Sequence, residues 1–259
     1  MPFTLQAQTR FSIDIDPPTV AGRSAGTAYQ QANTGFSKAS LGSSAFVLSG
    51  TFILGGAFTA VGRFDTDGAG NLNGVADFDS SSTLSSSPIS GGYSVGADGL
   101  GGFTLTTTGP ASTGFDFWMI SDNQAVILQR NTIPAAHGVV STGLLFRRQP
   151  GTFTNAQFQG NYAFALQQMN VSTAQAASGQ ITADGIGALT GTEDLAIPPS
   201  PDLSLTGTWS IATNGRGAGS LAVELSPSPL VFYPISPAEI IFMVQGAVGL
   251  AEKQCSDCH

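Results

Sequence analysis

Basic residues, cysteine and histidine are all scarce in this chain. Lys and Arg number 9 against 17 Asp and Glu, which gives a net charge of −8 at pH 7. Nucleic acids and anionic membranes are bound by clustered positive charge, so this balance argues against both kinds of partner. There are 2 His, and neither a Walker A nor an HExxH motif occurs. We therefore do not expect an enzyme.

Long hydrophobic runs are also missing. No stretch approaches the roughly 20 apolar residues of a transmembrane helix. Residues 1–10 lack the basic leader and the apolar segment of a signal peptide. Charged residues make up only 10% of the chain, whereas Gly, Ser and Thr are abundant, which is more typical of exported than of cytosolic proteins. We expect a secreted, cell-surface or periplasmic protein in its mature form.

The sequence does contain a long internal repeat. The stretch from Gly62 to Gly74 returns without a gap at residues 179–191, and in both copies an alternating apolar run meets Asp-Gly-Xaa-Gly and then a second run. This pattern is typical of a strand, a tight turn and a returning strand. Further matches join residues 44–48 to 162–166, 89–101 to 205–217, and 117–121 to 232–236. A period of about 110 residues predicts self-contained small domains.

A closing segment occurs three times, at residues 25–30, 142–146 and 248–254. Two complete units are thus preceded by the last strands of a third, predicted at residues 10–16 and 26–30. We divide the chain into an N-terminal segment (1–31), two repeats (32–149 and 150–254) and a tail (255–259). An isolated strand pair has unpaired edges. We therefore expect residues 1–31 to be donated to a neighbouring copy, which would give a homopolymer.

Each repeat is predicted to contain eight short strands, and helical patterns are nearly absent. In the first repeat the strands are predicted near residues 44–53, 57–66, 72–79, 89–96, 101–108, 114–121, 124–130 and 140–148; the second repeats them from about 160 to 254. Residues 80–87 and 197–201 are predicted to be corresponding loops. We predict an all-β fold of two tandem eight-stranded antiparallel up-and-down barrels, with β-sandwiches as the alternative.

The repeated pattern resembles a known family. A Tyr-Xaa-Phe-Xaa-Leu strand, a hairpin with Asp-Gly-Xaa-Gly, a Gly-Xaa-Tyr/Trp-Ser-Val/Ile strand and a closing Gly-Xaa-Ala-Xaa-Xaa-Gln are similar to the tandem lipocalin-like β-barrel repeats of secreted bacterial surface proteins. The resemblance covers nearly all of residues 24–254 and implies the fold without implying a catalytic set. Ser44 and Pro234 depart from the pattern.

Recognisable chemistry is concentrated in the last five residues, Cys255-Ser-Asp-Cys-His259, which contain both cysteines of the chain. Their spacing resembles the haem-attachment motif of c-type cytochromes. That resemblance predicts one covalent haem c, with Cys255 and Cys258 bound to its vinyl groups and His259 as the proximal iron ligand. The alternatives are a disulfide, an incidental tail, or a zinc site that would still need a fourth ligand.

A six-coordinate haem needs a second axial ligand, and His137 is the preferred candidate, from the same chain or from a neighbouring subunit. The other candidates are Met1, Met119, Met169 and Met243. Met119 and Met243 lie within strand patterns, so they are predicted to fill the core instead. Two His ligands would suit electron transfer to a redox partner that the sequence does not identify.

Oxygen-bearing side chains cluster at Asp65, Asp67 and Asn71, as in a calcium loop. The later glycine and glutamate of an EF-hand are lacking, and the second copy keeps only Asp184. A structural turn is the better interpretation, and we do not expect calcium. Four large aromatic residues are predicted to line the barrels or fill the core: Tyr93, Trp118, Tyr162 and Trp209.

Three functions follow as hypotheses. The first is a secreted c-type monohaem protein that uses its barrels as a scaffold for electron transfer and assembles into filaments. The second is a structural or adhesive surface fibre subunit without haem. The third is a calycin-like binder of a small apolar ligand.

Overall fold

The computed structural model describes residues 10–15, 24–32, 34–52, 55–80, 83–108, 112–130, 138–168, 175–196 and 198–254. Almost all of this backbone is β-strand, arranged as two closed barrels and one separate pair of strands. The prediction of two tandem eight-stranded antiparallel barrels is therefore confirmed. The sandwich alternative is excluded, because both sheets close on themselves.

The N-terminal strands, β1 (Arg10–Ile15) and β2 (Ser24–Tyr29), form an antiparallel pair. Ile13 lies opposite Gly26 in this pair, which forms a two-stranded sheet of its own and is not part of either barrel. The two strands predicted in this segment are confirmed.

Barrel 1 is a meander in which each strand pairs with the next. Its strands are β3 (Ser44–Phe52), β4 (Ala57–Thr66), β5 (Asn71–Ser80), β6 (Thr83–Val95), β7 (Leu100–Thr106), β8 (Ser112–Ser121), β9 (Gln124–Arg130) and β10 (Val139–Arg147). β10 returns to pair with β3, with Leu145 opposite Phe46, so no strand edge remains open. A short helix, α1 (Lys38–Leu41), precedes β3.

Barrel 2 repeats this order. Its strands are β11 (Gln159–Gln168), β12 (Gln175–Asp184), β13 (Ala188–Ala196), β14 (Pro199–Ile211), β15 (Gly217–Val223), β16 (Ser226–Ser236), β17 (Glu239–Val244) and β18 (Ala247–Lys253). β18 closes the barrel on β11, with Ala251 opposite Phe164. A single 3₁₀ turn, Asn155–Gln157, occupies the place that α1 has before barrel 1.

Both barrels are filled by their own side chains, because alternate residues of every strand point inward. In barrel 1 the ring of Phe103 lies 4.8 Å from that of Phe115 and 5.8 Å from that of Phe64. In barrel 2 the ring of Phe158, just after the 3₁₀ turn, lies 4.7 Å from Tyr162 and 4.8 Å from Trp209. The described interiors are thus packed cores.

Three of the four predicted core aromatics, Tyr93, Tyr162 and Trp209, are buried. The prediction for Trp118 is wrong, because its side chain is half exposed on the outer wall of barrel 1. Its neighbours Phe117 and Met119 occupy the barrel interior. Alternation from Phe115 to Met119 of β8 therefore directs Trp118 outward.

The repeated Asp-Gly hairpin is confirmed as a structural turn. The Asp67 carboxylate accepts hydrogen bonds from three backbone N–H groups at 2.8 to 2.9 Å, and that of Asp184 does the same in the second copy. Hydrogen bonds from the Asn71 side chain and backbone hold the pKa of Asp67 well below its usual range. Asp65, by contrast, is paired with arginine side chains. The turn itself therefore uses the carboxylate of Asp67.

The two predicted loops are largely strand. β5 continues to Ser80 and β6 begins at Thr83, so residues 83–87 pair with β5, and β14 begins at Pro199. Leu84 packs against an apolar cluster between the barrels, which stabilises the extended hairpin through a contact that local sequence does not show. Pro199 is tolerated because it is the first residue of its strand.

Pro234 lies inside β16, where the pairing with β17 shifts register between Pro234 and Ser236. Barrel 1 has the same irregularity between Met119 and Ser121 of β8. A β-bulge thus occurs at matching places in both repeats, at Ile120 and Ile235, and both isoleucines are buried.

Candidate functional site

The residues predicted to hold haem lie outside the described residues. This applies to Cys255, Cys258 and His259 in the tail and to His137, and equally to Met1 and Met169. The described chain ends with Gln254, whose backbone N–H donates to the carbonyl of Asn161 at 2.8 Å. Within the described ranges, no group of three or more His, Cys, Asp or Glu side chains is placed to hold a metal ion. Haem binding therefore stays a prediction that rests on the spacing of the sequence motif.

Met119 and Met243 are buried, as predicted for core methionines. Met119 packs inside barrel 1. Met243 lies between the barrels, where its sulfur accepts a hydrogen bond from the Thr59 hydroxyl at 3.4 Å. Both sulfur atoms are thus committed to packing.

Within the described chain, the two barrels contact each other directly. Strands β3, β4 and β10 of barrel 1 meet β16, β17 and β18 of barrel 2. The buried apolar residues of this inter-barrel cluster are Ala45, Val61, Phe146, Val231, Tyr233, Ile235, Ile241, Met243 and Val248. A cluster of this size fixes the two barrels against each other by burying apolar surface.

A buried ion pair lies beside this cluster. The Asp77 side chain of β5 is fully buried, and its carboxylate accepts hydrogen bonds from Arg216 Nε at 2.8 Å and Arg216 Nη2 at 2.6 Å. The Tyr233 hydroxyl donates to the same carboxylate. The hydrogen bond to Asp77 raises the pKa of Arg216, and burial together with the Asp77 charge raises the pKa of Tyr233. Asp77 of barrel 1 thus balances the charge of Arg216 and orients both Arg216 and Tyr233 of barrel 2.

A second cluster of charged side chains lies near the segment that connects the two barrels. Arg63 pairs with Asp65 and also donates to the carbonyl of Asn214 in barrel 2. Arg148, directly after β10, lies 3.5 Å from the Asp65 carboxylate and 5.4 Å from the centre of the Phe153 ring. Burial, helped by the charge of Arg63, lowers the pKa of Arg148 to about 10, which still leaves it charged at neutral pH.

The connection between the barrels uses the bulge in β16. The Arg148 side chain donates from Nε to the carbonyl of Pro234 at 3.3 Å, and the backbone N–H of Gln149 donates to the carbonyl of Ile235 at 2.8 Å. The bulge frees these carbonyls from the strand ladder, so they can accept the incoming chain.

The same docking geometry recurs at the start of barrel 1. The Gln31 side chain donates to the carbonyl of Met119 at 2.9 Å, and the backbone N–H of Ala32 donates to that of Ile120 at 2.8 Å. In the internal repeat, Gln31 and Ala32 correspond to Arg148 and Gln149. The segment after β2 therefore meets barrel 1 as the segment after β10 meets barrel 2.

Sequence reasoning missed the contact of Asp77 with Arg216. The available signal was weak, since Asp77 lies in a strand between Ala76 and Phe78, whereas Arg216 lies in the turn before β15, between two glycines. The repeat gave no help, because Leu100 is the counterpart of Arg216 in barrel 1. Only the packing of one barrel on the other brings the two side chains together.

Comparisons with known proteins return a fold likeness alone. No protein-family model and no curated protein matches the chain. A solved structure that is similar is the vaccine antigen transferrin-binding protein B from Haemophilus parasuis Hp5, as a double mutant, with 12% identity and a TM-score of 0.32. The aligned region covers 77% of this chain and 54% of that protein. In the part of the chain that the structure describes, no helix is long and apolar enough to cross a bilayer.

Proposed function

We propose that this protein is a secreted scaffold for electron transfer, in which two barrels position one haem c on the C-terminal tail. The observation that supports it best is the division of roles along the chain. The described barrels are packed solid and joined by a buried interface, whereas the motif for covalent haem attachment lies beyond β18. A rigid carrier with an appended redox group fits this division.

The tail residues have defined roles in this proposal. Cys255 and Cys258 would hold the haem through thioether bonds to its two vinyl groups, which form by addition of the thiols without an oxidant. His259 and His137 would be its iron ligands. When bound, the haem supplies one-electron redox chemistry.

Haem staining after denaturing electrophoresis and an absorption spectrum of the purified protein test this proposal. We expect covalent haem in the native chain and none in a Cys255→Ser/Cys258→Ser variant whose β-sheet circular dichroism is unchanged. His137→Ala should alter the low-spin spectrum. A native protein exported alongside functional haem-attachment machinery but lacking covalent haem would contradict the proposal.

Packed interiors favour a scaffold over the calycin-like binder. A ligand in either barrel would have to displace aromatic rings that are in contact, such as Phe103 and Phe115 in barrel 1 or Phe158 and Trp209 in barrel 2. The structural or adhesive fibre subunit is the second candidate, and it is favoured if the haem test is negative, because it needs only the rigid pair of barrels.

The scaffold is further proposed to self-associate through residues 1–31. The observation behind this is that β1 and β2 form a two-stranded sheet separate from both barrels. A sheet of this kind can be extended by a strand of another chain. Deleting residues 1–31 should reduce assembly in sedimentation velocity experiments. Unchanged assembly after the deletion would exclude residues 1–31 as the site of self-association.

A further inference from the structure

One outer wall of barrel 1 is unusually apolar for a surface. Leu100 is 41% exposed, Trp118 50% and Leu128 51%, and these three side chains line a shallow groove of about 730 Å³ across β7, β8 and β9. Clustered exposure of large apolar side chains, as opposed to single scattered ones, marks an interaction surface. We call this surface the open face of barrel 1.

The internal repeat identifies the counterpart of this face in barrel 2. Paired by the repeat, with the barrel 1 residue first, are Trp118 and Tyr233, Val126 and Ile241, Leu128 and Met243, and Thr142 and Val248. Every barrel 2 member of these pairs is buried in the inter-barrel cluster. Equivalent surfaces are thus covered in one barrel and open in the other.

The surface that covers barrel 2 belongs to β3, β4, β5 and β10 of barrel 1, through Ala45, Val61, Asp77 and Phe146. The counterparts of the first three in barrel 2 are Ala163, Ser178 and Asp194 on β11, β12 and β13, and the counterpart of Phe146 is Glu252 on β18. All four are exposed. The chain therefore has one interface, formed between its own barrels. It also has a second copy of each of the two surfaces that form this interface, and both of these copies are uncovered.

We propose that the open face of barrel 1 binds the β11–β13 surface of a second copy of this chain, in the arrangement that joins the two barrels within one chain. The contact is heterologous, so repeating it builds a linear or helical array of barrels. This contact is additional to the one proposed above through residues 1–31. It lies on the folded barrels and depends neither on that segment nor on haem.

The side chains at the two open halves are chemically compatible. The Trp118 indole N–H is a donor, as the Tyr233 hydroxyl is, and Asp194 offers an exposed carboxylate where the closed interface has Asp77. Leu100 takes the place of Arg216. Arg130 also lines the groove, where its Nε lies 3.2 Å from the Asp116 carboxylate, and a guanidinium has further N–H donors for a second carboxylate. At β11–β13 the partner offers the small side chains of Ala163 and Ser178, which allow close approach of a bulky indole.

The position of the N-terminal segment agrees with this assignment. Gln31 and Ala32 bind the bulge of β8 as Arg148 and Gln149 bind the bulge of β16. In barrel 2, the outer wall beside the β16 bulge is covered by barrel 1. The corresponding wall of barrel 1, beside the β8 bulge, is the open face.

Complementation between two variants of the full chain tests the proposal. Trp118→Ser/Leu128→Ser damages the open face, and Ala163→Arg/Ser178→Arg damages the receiving surface. Each variant alone should associate more than about tenfold more weakly than the unmodified chain in sedimentation velocity, because a central aromatic anchor carries much of a contact's affinity. Mixing the two in equal amounts should restore dimers but no longer species, because only one intact pair of surfaces is then available.

Matched controls distinguish this contact from nonspecific hydrophobic association and from assembly through residues 1–31. Ile186→Ser/Leu225→Ser removes two apolar side chains that are exposed elsewhere and should leave association unchanged. A chain lacking residues 1–29 should still associate through the open face. The proposal is overturned if the unmodified chain stays monomeric, if the Trp118 variant assembles normally, or if the mixture remains monomeric. If the deletion abolishes assembly and both surface variants still assemble, the contact belongs to the N-terminal segment instead.

Discussion

Replacing Asp77 with Asn tests whether the buried ion pair holds the barrels together. Asn keeps the size of the side chain but removes its charge and puts an amide N–H₂ group among the donors of Arg216 and Tyr233. Removing one partner of a fully buried pair costs about 3–5 kcal/mol. The Arg216 side chain is 24% exposed and recovers part of its hydration, so we expect Asp77→Asn to lower the free energy of unfolding by ~2–3 kcal/mol.

The repeat provides a matched control for this change. Asp194 is the counterpart of Asp77 on barrel 2 but is exposed. Its carboxylate accepts one backbone N–H, from Asp202, which an Asn side chain can also accept. Asp194→Asn should therefore change stability by less than ~0.5 kcal/mol.

Urea unfolding gives the free energies, and calorimetry shows where the loss falls. Because the pair bridges two barrels, Asp77→Asn should split one cooperative transition into two. A double-mutant cycle with Arg216→Met isolates the coupling between the two side chains. Equal effects of Asp77→Asn and Asp194→Asn, or a coupling energy below ~0.5 kcal/mol, would refute the reasoning.

Two further substitutions test individual positions. Burial, with the Glu252 charge opposite on β18, raises the pKa of Glu239 from 4.5 to about 7. The folded protein therefore holds a proton that the unfolded chain has lost, and stability falls as pH rises between those values. Glu239→Gln should remove this slope and, because the group is partly exposed, add only ~1–2 kcal/mol in urea unfolding at pH 8; an unchanged slope would contradict the pKa shift. At Gly91 a Cβ would lie 1.7 Å from the Thr104 carbonyl oxygen, whereas at Gly92 the nearest contact is 3.6 Å. Gly91→Ala should cost more than ~2 kcal/mol and Gly92→Ala at most a few tenths, as measured by thermal unfolding, and similar costs at both positions would count against the strand packing described.

Strand positions and turns followed from local sequence. Alternation of apolar residues is imposed by the pleat, and the Asp-Gly turn is stabilised within four residues by the carboxylates of Asp67 and Asp184, so both can be recognised without knowing the fold. The internal repeat also predicted that there are two barrels, because the second copy of each strand is expected to take the same place in a second barrel.

Features that depend on one barrel touching the other were not accessible in this way. Trp118 was expected inside because aromatic residues are usually buried, yet the alternation around Phe117 already directs it outward. The role of Asp77 arises from a contact across the interface, and Leu84 near the start of β6 packs against the same inter-barrel cluster. The haem motif, by contrast, rests on spacing alone.

The bulge at Ile235 also bears on how such a chain can grow. Its carbonyl accepts the backbone N–H of Gln149, and any residue except proline at position 149 could make that bond. The orientation of successive barrels is thus partly independent of side-chain identity at the junction. A gene duplication or recombination event with its boundary at this junction would add a whole barrel whose backbone connection is already compatible with its neighbour. We expect artificial three-barrel chains spliced after residue 149 to fold without redesign of the joint.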